Sequence, residues 1–392
     1  MKNKLTLPLI VTAQFCCTSL WFAGNAVMND LVNSLSLSPD ALGALTSAVQ
    51  FGFIIGTLTF AVLTITDRFS PSNVFLVSAL LGALFNAGII WEANTLNTLL
   101  LFRFLTGFFL SGIYPVGMKI AADYFEKGLG RSLSFLVGAL VLGTAFPHLL
   151  KVLTDTMPWK YVIIATSILA TAGAFLIFLF VPDGPFRKPS SQFSFYAIKD
   201  IFKKPAFRAS AFGYFGHMWE LYTFWAFVPI MLYSYQELHS VPAFNIPLLS
   251  FIIIAVGGLA CVIGGFISEK IGVKQTARIA LTLSGICCLL SPLFFILNAP
   301  WVFVTFLVLW GMFVIADSPL FSTLVAQNAP AELKGTALTI VNCIGFAITI
   351  VSIQLLSVLQ NVISIEYLFI VLAVGPLMGR VLNEEGRIKN VE

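Results

Sequence analysis

The chain has 392 residues, of which 58% are hydrophobic, 14% aromatic and only 10% charged, with a formal net charge of +4 and a mean hydropathy of +0.94. A water-soluble globule carries charge on about a quarter of its residues, so this composition excludes one and requires an integral membrane protein. The 38 Phe residues and long apolar runs also exclude an outer-membrane barrel, whose strands alternate apolar with polar residues.

At about 20 residues per span, the length accommodates roughly a dozen helices. Apolar runs set against polar breaks place them near residues 6–31, 40–66, 73–91, 96–123, 129–152, 160–181, 207–235, 246–268, 275–297, 300–326, 335–359 and 364–382. The first is expected to be an uncleaved helix and not a signal peptide, because no small-x-small cleavage site precedes polar sequence. Ser38-Pro39 and Asn298-Ala299-Pro300 mark helix starts, since a first turn tolerates Pro. The longest break runs from Pro182 to Pro205 and ends in a basic amphipathic stretch, Phe193 to Lys204. The expected organisation is therefore a six-helix bundle over 1–182, a linker over 183–206 and a second six-helix bundle over 207–392.

Basic residues orient the chain. Of 22 Lys and Arg, only Lys151 and Lys160 fall in outside loops if the N-terminus is cytoplasmic; Arg103 lies within the membrane and the others face the cytoplasm. Both termini and the linker are thus expected to be cytoplasmic, in a bacterial inner membrane. The six cysteines, Cys16, Cys17, Cys261, Cys287, Cys288 and Cys343, all sit in apolar runs and act as small hydrophobes. No metal-ligand cluster, phosphate-binding loop or nucleophile-base arrangement is present, so no cofactor, metal or catalytic residue is expected, and the chain is expected not to be an enzyme.

Helix 4 is the most informative. Arg103 interrupts the apolar stretch Leu99 to Asp123, and an Arg at the bilayer centre costs at least about 2.5–3.5 kcal/mol, so it faces a bundle interior or a watery cavity. A shift of 204 positions carries Gly107 onto Gly311, Tyr114-Pro115 onto Ser318-Pro319, Ile113 onto Asp317 and Trp21 onto Trp225. That spacing is about half the chain and indicates two similar halves. On helix 7, His217 and Glu220 are three apart and share a face. Each has a structural alternative: Arg103 could pair with an acid or with backbone carbonyls, His217 and Glu220 could tie helices together, and Asp317 could mark a broken helix whose backbone needs partners.

Two patterns carry a family resemblance. Gly265-Phe-Ile-Ser-Glu269-Lys270-Ile-Gly272-Val-Lys274 resembles the loop motif of the major facilitator superfamily, with a worn first copy at Asp67-Arg68-Phe-Ser70. Leu99-x-x-x-Arg103-x-x-Thr106-Gly107 is similar to the helix 4 pattern of the same superfamily. The stretches Tyr114 to Lys119 and Gly216 to Tyr222 look like those of bacterial members. Neither the Gly-Pro-x-x-Gly-Gly pattern of drug antiporters nor the Gly-rich, Asn-containing motif of nitrate porters is present.

The resemblance implies an all-α membrane protein with twelve transmembrane helices in two pseudo-symmetric six-helix bundles. It also implies a secondary transporter working by alternating access, with helices 1, 4, 7 and 10 lining a central cavity. On those helices the expected substrate-binding residues are Trp21, Asn25, Arg103, Tyr114, Tyr222, Trp225 and Trp310; His217, Glu220 and Asp317 are the expected proton-coupling residues, Glu220 first. Asp67, Arg68, Gly265, Glu269, Lys270, Gly272 and Lys274 form the expected gating loops. The expected partners are protons, the lipid bilayer and a small-molecule substrate, anionic or zwitterionic given the fixed charge of Arg103, with no nucleic acid and a monomeric chain. The competing expectation is a transport-inactive protein of the same shape that senses a ligand or docks a partner. Trp91, Trp159 and Trp301 are expected as interface anchors, and His148 at the outer end of helix 5 as interfacial.

Overall fold

The computed structural model describes residues 5–38, 41–125, 129–154, 156–187 and 197–379. Pro39, the centre of the linker and the basic residues Lys2, Lys4, Lys127, Lys188, Arg380, Arg387 and Lys389 used in the orientation argument lie outside them. Two compact units divide the chain, Met1–Ser190 and Ser191–Glu392.

Unit 1 consists of α1 (Thr6–Thr18), α2 (Ala23–Ala26), α3 (Met28–Leu35), α4 (Ala41–Val62), α5 (Ile65–Arg68), α6 (Pro71–Ala87), α7 (Leu96–Leu110), α8 (Tyr114–Tyr124), α9 (Leu129–Leu153) and α10 (Lys160–Phe180). Unit 2 consists of α11 (Ala197–Lys203), α12 (Pro205–His239), α13 (Ile246–Ile271), α14 (Val273–Ile296), α15 (Pro300–Ala316), α16 (Ser318–Asn328), α17 (Lys334–Leu359) and α18 (Ile365–Leu368). Every described element is helical. Nine helical segments among the described residues are long and apolar enough to cross a membrane. To these are added α12, 35 residues long but diluted by tyrosines, tryptophans, His217 and Glu220, and the shorter apolar stretches Thr6–Thr18 and Ile365–Gly379.

Four of the expected spans are interrupted. That over 40–66 breaks at Thr64, which sits at φ 49° between α4 and α5. The span expected over 6–31 is three pieces, and those over 96–123 and 300–326 each break once, after Leu110 and at Asp317. Pro115 and Pro319 explain the latter two: each sits in the first turn of the following helix, where its missing N–H is no loss, whereas in a continuous helix it would delete a hydrogen bond.

Close backbone approach organises both units. In unit 1, α4 packs on α7 so tightly that a methyl group on Gly52, Gly56 or Gly107 would strike the carbonyl of Phe104, Phe108 or Val49. In unit 2, α13 packs on α15, and a methyl on Gly311 would strike the carbonyl of Ile253. Ile253 is Val49 shifted by 204 positions, as Gly311 is Gly107. Such small-residue contacts hold helices together where lipid removes any hydrophobic drive between them. The same shift relates Ser36 and Ser240, both at φ 50°, which end α3 and α12 in the left-handed conformation. It also relates α8 to α16, end to end.

Polar ties complete the interiors. Asn86 donates to the Ile163 carbonyl at 3.3 Å and to Thr166 and Ser167 at 3.2 and 3.0 Å, joining α6 to α10. In unit 2, Thr223 and Ser352 are 2.6 Å apart and Thr349 donates to the Met218 carbonyl at 2.9 Å, joining α12 to α17. All six cysteines are buried.

Candidate functional site

Arg103 projects from α7 toward the gap between α1 and α2 and is only 2% exposed. α1 ends at Thr18, so the carbonyls that follow it have no helical partner. Arg103 supplies one: Nη1 donates to the Leu20 carbonyl at 3.1 Å and Nη2 donates to the Trp21 carbonyl. Gly24 leaves the room, since its α-hydrogen faces the guanidinium. Negative helix C-termini attract cations, and here a membrane-buried cation closes the end of a broken helix. Of the alternatives for Arg103, the structure shows the pairing with backbone carbonyls. Asn25 is likewise turned inward and donates to Thr46 at 2.8 Å.

Unit 2 gathers the acids. Glu220 on α12 is 1% exposed and held from two neighbouring helices: Trp310 Nε1 of α15 donates to Oε1 at 2.6 Å, Cys288 Sγ of α14 donates to Oε1 at 3.3 Å, and Ser284 Oγ of α14 lies 2.9 Å from Oε2. One turn earlier on α12, His217 Nδ1 lies 2.8 Å from Oδ1 of Asp317 at the α15–α16 break. His217 is 1% exposed and Asp317 0%. The two acids differ in one respect. Glu220 has donors on both oxygens, whereas neither oxygen of Asp317 and neither ring nitrogen of His217 has an aligned hydrogen bond among the described residues, Nδ1 and Oδ1 meeting only as a close charge contact. Such orphans are rare in folded interiors and demand an explanation.

Trp310, expected to contact substrate, gives its indole N–H to Glu220. Ser284 escaped the sequence reading, and Cys288, expected as a small hydrophobe, donates to the Glu220 carboxyl. Their four-residue spacing does put them on one helix face, but small polar residues in an apolar helix are equally common as packing.

A family model described as Major Facilitator Superfamily matches residues 10–353. The chain belongs to the major facilitator superfamily. No curated protein matches it. As a superfamily member it is a multi-pass membrane transporter, and the duplicated frame is that of its two helical bundles.

The two superfamily loops differ in detail. Between α13 and α14 a single residue makes the turn: Gly272 at φ 89°, a conformation that favours glycine. Glu269, Lys270 and Lys274 around it are exposed, and Gly265 lies inside α13. The worn copy in unit 1 is the more engaged. Asp67 faces Lys119 of α8 at 3.6 Å, and Lys119 also faces Asp123 at 3.9 Å. Arg68 turns back to Thr64, 3.2 Å from its hydroxyl. Arg187, from the start of the linker, donates to the carbonyls of Thr66, Asp67 and Phe69 at 3.5, 3.2 and 2.8 Å and pairs with Asp183 at 2.5 Å. It caps α5 as Arg103 caps α1.

The remaining expected residues are placed as follows. Trp21 and Trp225 are fully buried, Trp21 against Phe53 and Trp225 against Tyr222 at ring distances of 4.9 and 5.3 Å. Tyr114 begins α8, half-buried. Trp91 and Trp301 are exposed, as interface anchors would be, while Trp159 packs against the core of unit 1. His148 is corrected: it is buried inside unit 1, because α9 turns the residue after Pro147 inward.

Proposed function

We propose that this transporter is a secondary active one that moves a small solute by alternating access across a bacterial inner membrane, with proton coupling through His217, Asp317 and Glu220. One observation carries the reading. The His217–Asp317 pair is sealed in a membrane-spanning unit, its members 2.8 Å apart, with no aligned hydrogen bond to either carboxylate oxygen or either ring nitrogen among the described residues. Burying an ion pair costs several kcal/mol per ion unless its remaining valences are filled, and an amide pair would tie α12 to α16 without that cost. A pair whose charge state changes during a cycle accounts for the expense. Glu220, donor-saturated, stands beside it as a second proton acceptor. Arg103 faces backbone carbonyls in this conformation and is not directed at an anionic solute, so the solute is a small molecule of either charge. Cytoplasmic termini follow from the placement of basic residues, and a monomer is part of the same reading.

The test is a metabolite screen in proteoliposomes, scored for both solute counterflow and uptake driven by an imposed pH gradient. Asp317→Asn is expected to retain counterflow and lose pH-driven uptake at least tenfold; His217→Gln is expected to behave alike. Equal pH-driven uptake by parent and Asp317→Asn overturns the coupling role. Saturable solute binding with neither flux supports the sensor alternative.

A further inference from the structure

Ser284 makes two short contacts with one oxygen. Its Oγ lies 2.9 Å from Glu220 Oε2 and 3.1 Å from the carbonyl oxygen of Leu281 in the preceding turn of α14. A serine hydroxyl has one proton and two lone pairs, and a backbone carbonyl only accepts. Two proton arrangements therefore fit the same heavy-atom positions. With Glu220 ionised, Ser284 donates to Oε2. With Glu220 protonated on Oε2, the carboxyl O–H donates to Ser284 Oγ, and the hydroxyl turns to donate to Leu281. In both states Oε1 goes on accepting from Trp310 Nε1, which cannot accept in return, and from Cys288.

We propose that Ser284 is a positioning residue that lets Glu220 gain and lose a proton on Oε2 by rotation of one hydroxyl, with α12, α14 and α15 held in place. This rests on the reading of Glu220 as a proton acceptor. The proton comes from water and returns to it, and no other bond changes. The titratable groups around Glu220 are His217 on α12, Cys287 and Cys288 on α14 and Asp317 at the α15–α16 junction; α13 adds Cys261, bonded to the Ile315 carbonyl, and α17 adds Cys343. No Lys or Arg is buried among the described residues of unit 2. The hydroxyl pivot is thus the element of the cage that answers differently to the two charge states. Trp310 is a fixed donor, and a thiol is a weak partner.

Infrared difference spectra of the full chain in liposomes, recorded across pH, test it through the carbonyl stretch of protonated carboxyl groups. The band removed by Glu220→Gln belongs to Glu220. In Ser284→Ala that band is expected to shift in frequency and its titration midpoint to move by about one pH unit, the scale of one hydrogen bond to a charged group. Ser284→Thr, which keeps a hydroxyl able to bond the preceding turn, is expected to restore both. Ser284→Cys gives a partial shift and replaces the alanine variant if that does not fold. A Glu220 band absent at every pH, or a midpoint equal in parent and Ser284→Ala, overturns the inference. The expected shift together with normal pH-driven uptake by Glu220→Gln supports the pivot and sinks only the coupling role of Glu220. Lost coupling in Glu220→Gln with no effect of Ser284→Ala does the opposite.

Discussion

Position 103 is Arg and its counterpart 204 residues later is Leu307; position 113 is Ile and its counterpart is Asp317; Thr106 and Cys16 answer to Trp310 and Glu220. The break between α7 and α8 recurs between α15 and α16, and the left-handed caps of α3 and α12 and the glycine-to-carbonyl contacts recur too, but the break after Thr18 and the buried charge do not. Unit 1 buries a permanent cation and satisfies it with backbone carbonyls, which have no alternative protonation state. Unit 2 buries acids among side chains: a hydroxyl, a thiol and an indole hold Glu220, while Asp317 faces an imidazole and keeps valences unfilled. The difference teaches that the duplicated frame is fixed by how closely backbones approach, while the chemistry of each half is free to diverge. One half became a rigid electrostatic cap and the other a titratable network.

The comparison breaks most readily at Arg103. Arg103→Met removes the guanidinium's bonds to the carbonyls of Leu20 and Trp21; with charge-assisted bonds worth about 1.5–3 kcal/mol each, partly offset by no longer burying a cation, the loss of stability is expected at about 2–4 kcal/mol. Arg103→Lys, which reaches one carbonyl, should lose less. Denaturant titration of the purified chain reads both, and an unchanged midpoint in Arg103→Met removes the capping role.

A smaller effect is expected at the shared frame. Gly107→Ala and Gly311→Ala force the same overpacked contact against a backbone carbonyl in the two units, so each should cost about 1–3 kcal/mol and the two losses should match. A large effect in one and none in the other would show that the repeat is conserved in sequence but not in packing.

The smallest effect lies at the surface of unit 1. The hydrogen bond from Lys160, 2.7 Å away, holds the Glu92 carboxyl below its usual range. A depressed carboxylate contributes stability above its unfolded value and loses it as pH falls through its folded value. Glu92→Gln should therefore lower the thermal midpoint slightly at neutral pH, less than either change above, and not at all in acid. A midpoint difference that persists in acid would show that Glu92 contributes something other than its charge.

Much of the fold was legible. Apolar runs gave the spans, the 204-residue shift gave the duplication, and Gly272 could be picked out as a turn because its neighbours form a recognisable loop pattern. The breaks at Leu110 and Asp317 were signalled by Pro115 and Pro319, yet a sliding view of hydropathy runs straight across them. The break after Thr18 had no proline to announce it, and only the guanidinium arriving from α7 makes it tolerable. For the site, His217, Glu220 and Asp317 stood out because charge is rare in an apolar run. Ser284 and Cys288 did not, since small polar residues hydrogen-bond to their own helix as readily as to a distant acid. In the unit 1 loop the sequence pointed to Asp67 and Arg68 together, but Asp67 faces Lys119, and the guanidinium that spans the loop belongs to Arg187, 120 residues from the Asp67 carbonyl it meets.

Sequence alone determined that this protein lives in a bilayer, that it is helical and that it is built twice over, because hydropathy and periodicity are properties of adjacent residues and need no folding to be seen. The tertiary structure decided what each buried charge meets. A guanidinium or a carboxylate takes its role from the donors and acceptors packed against it, and those arrive from helices scores of residues away.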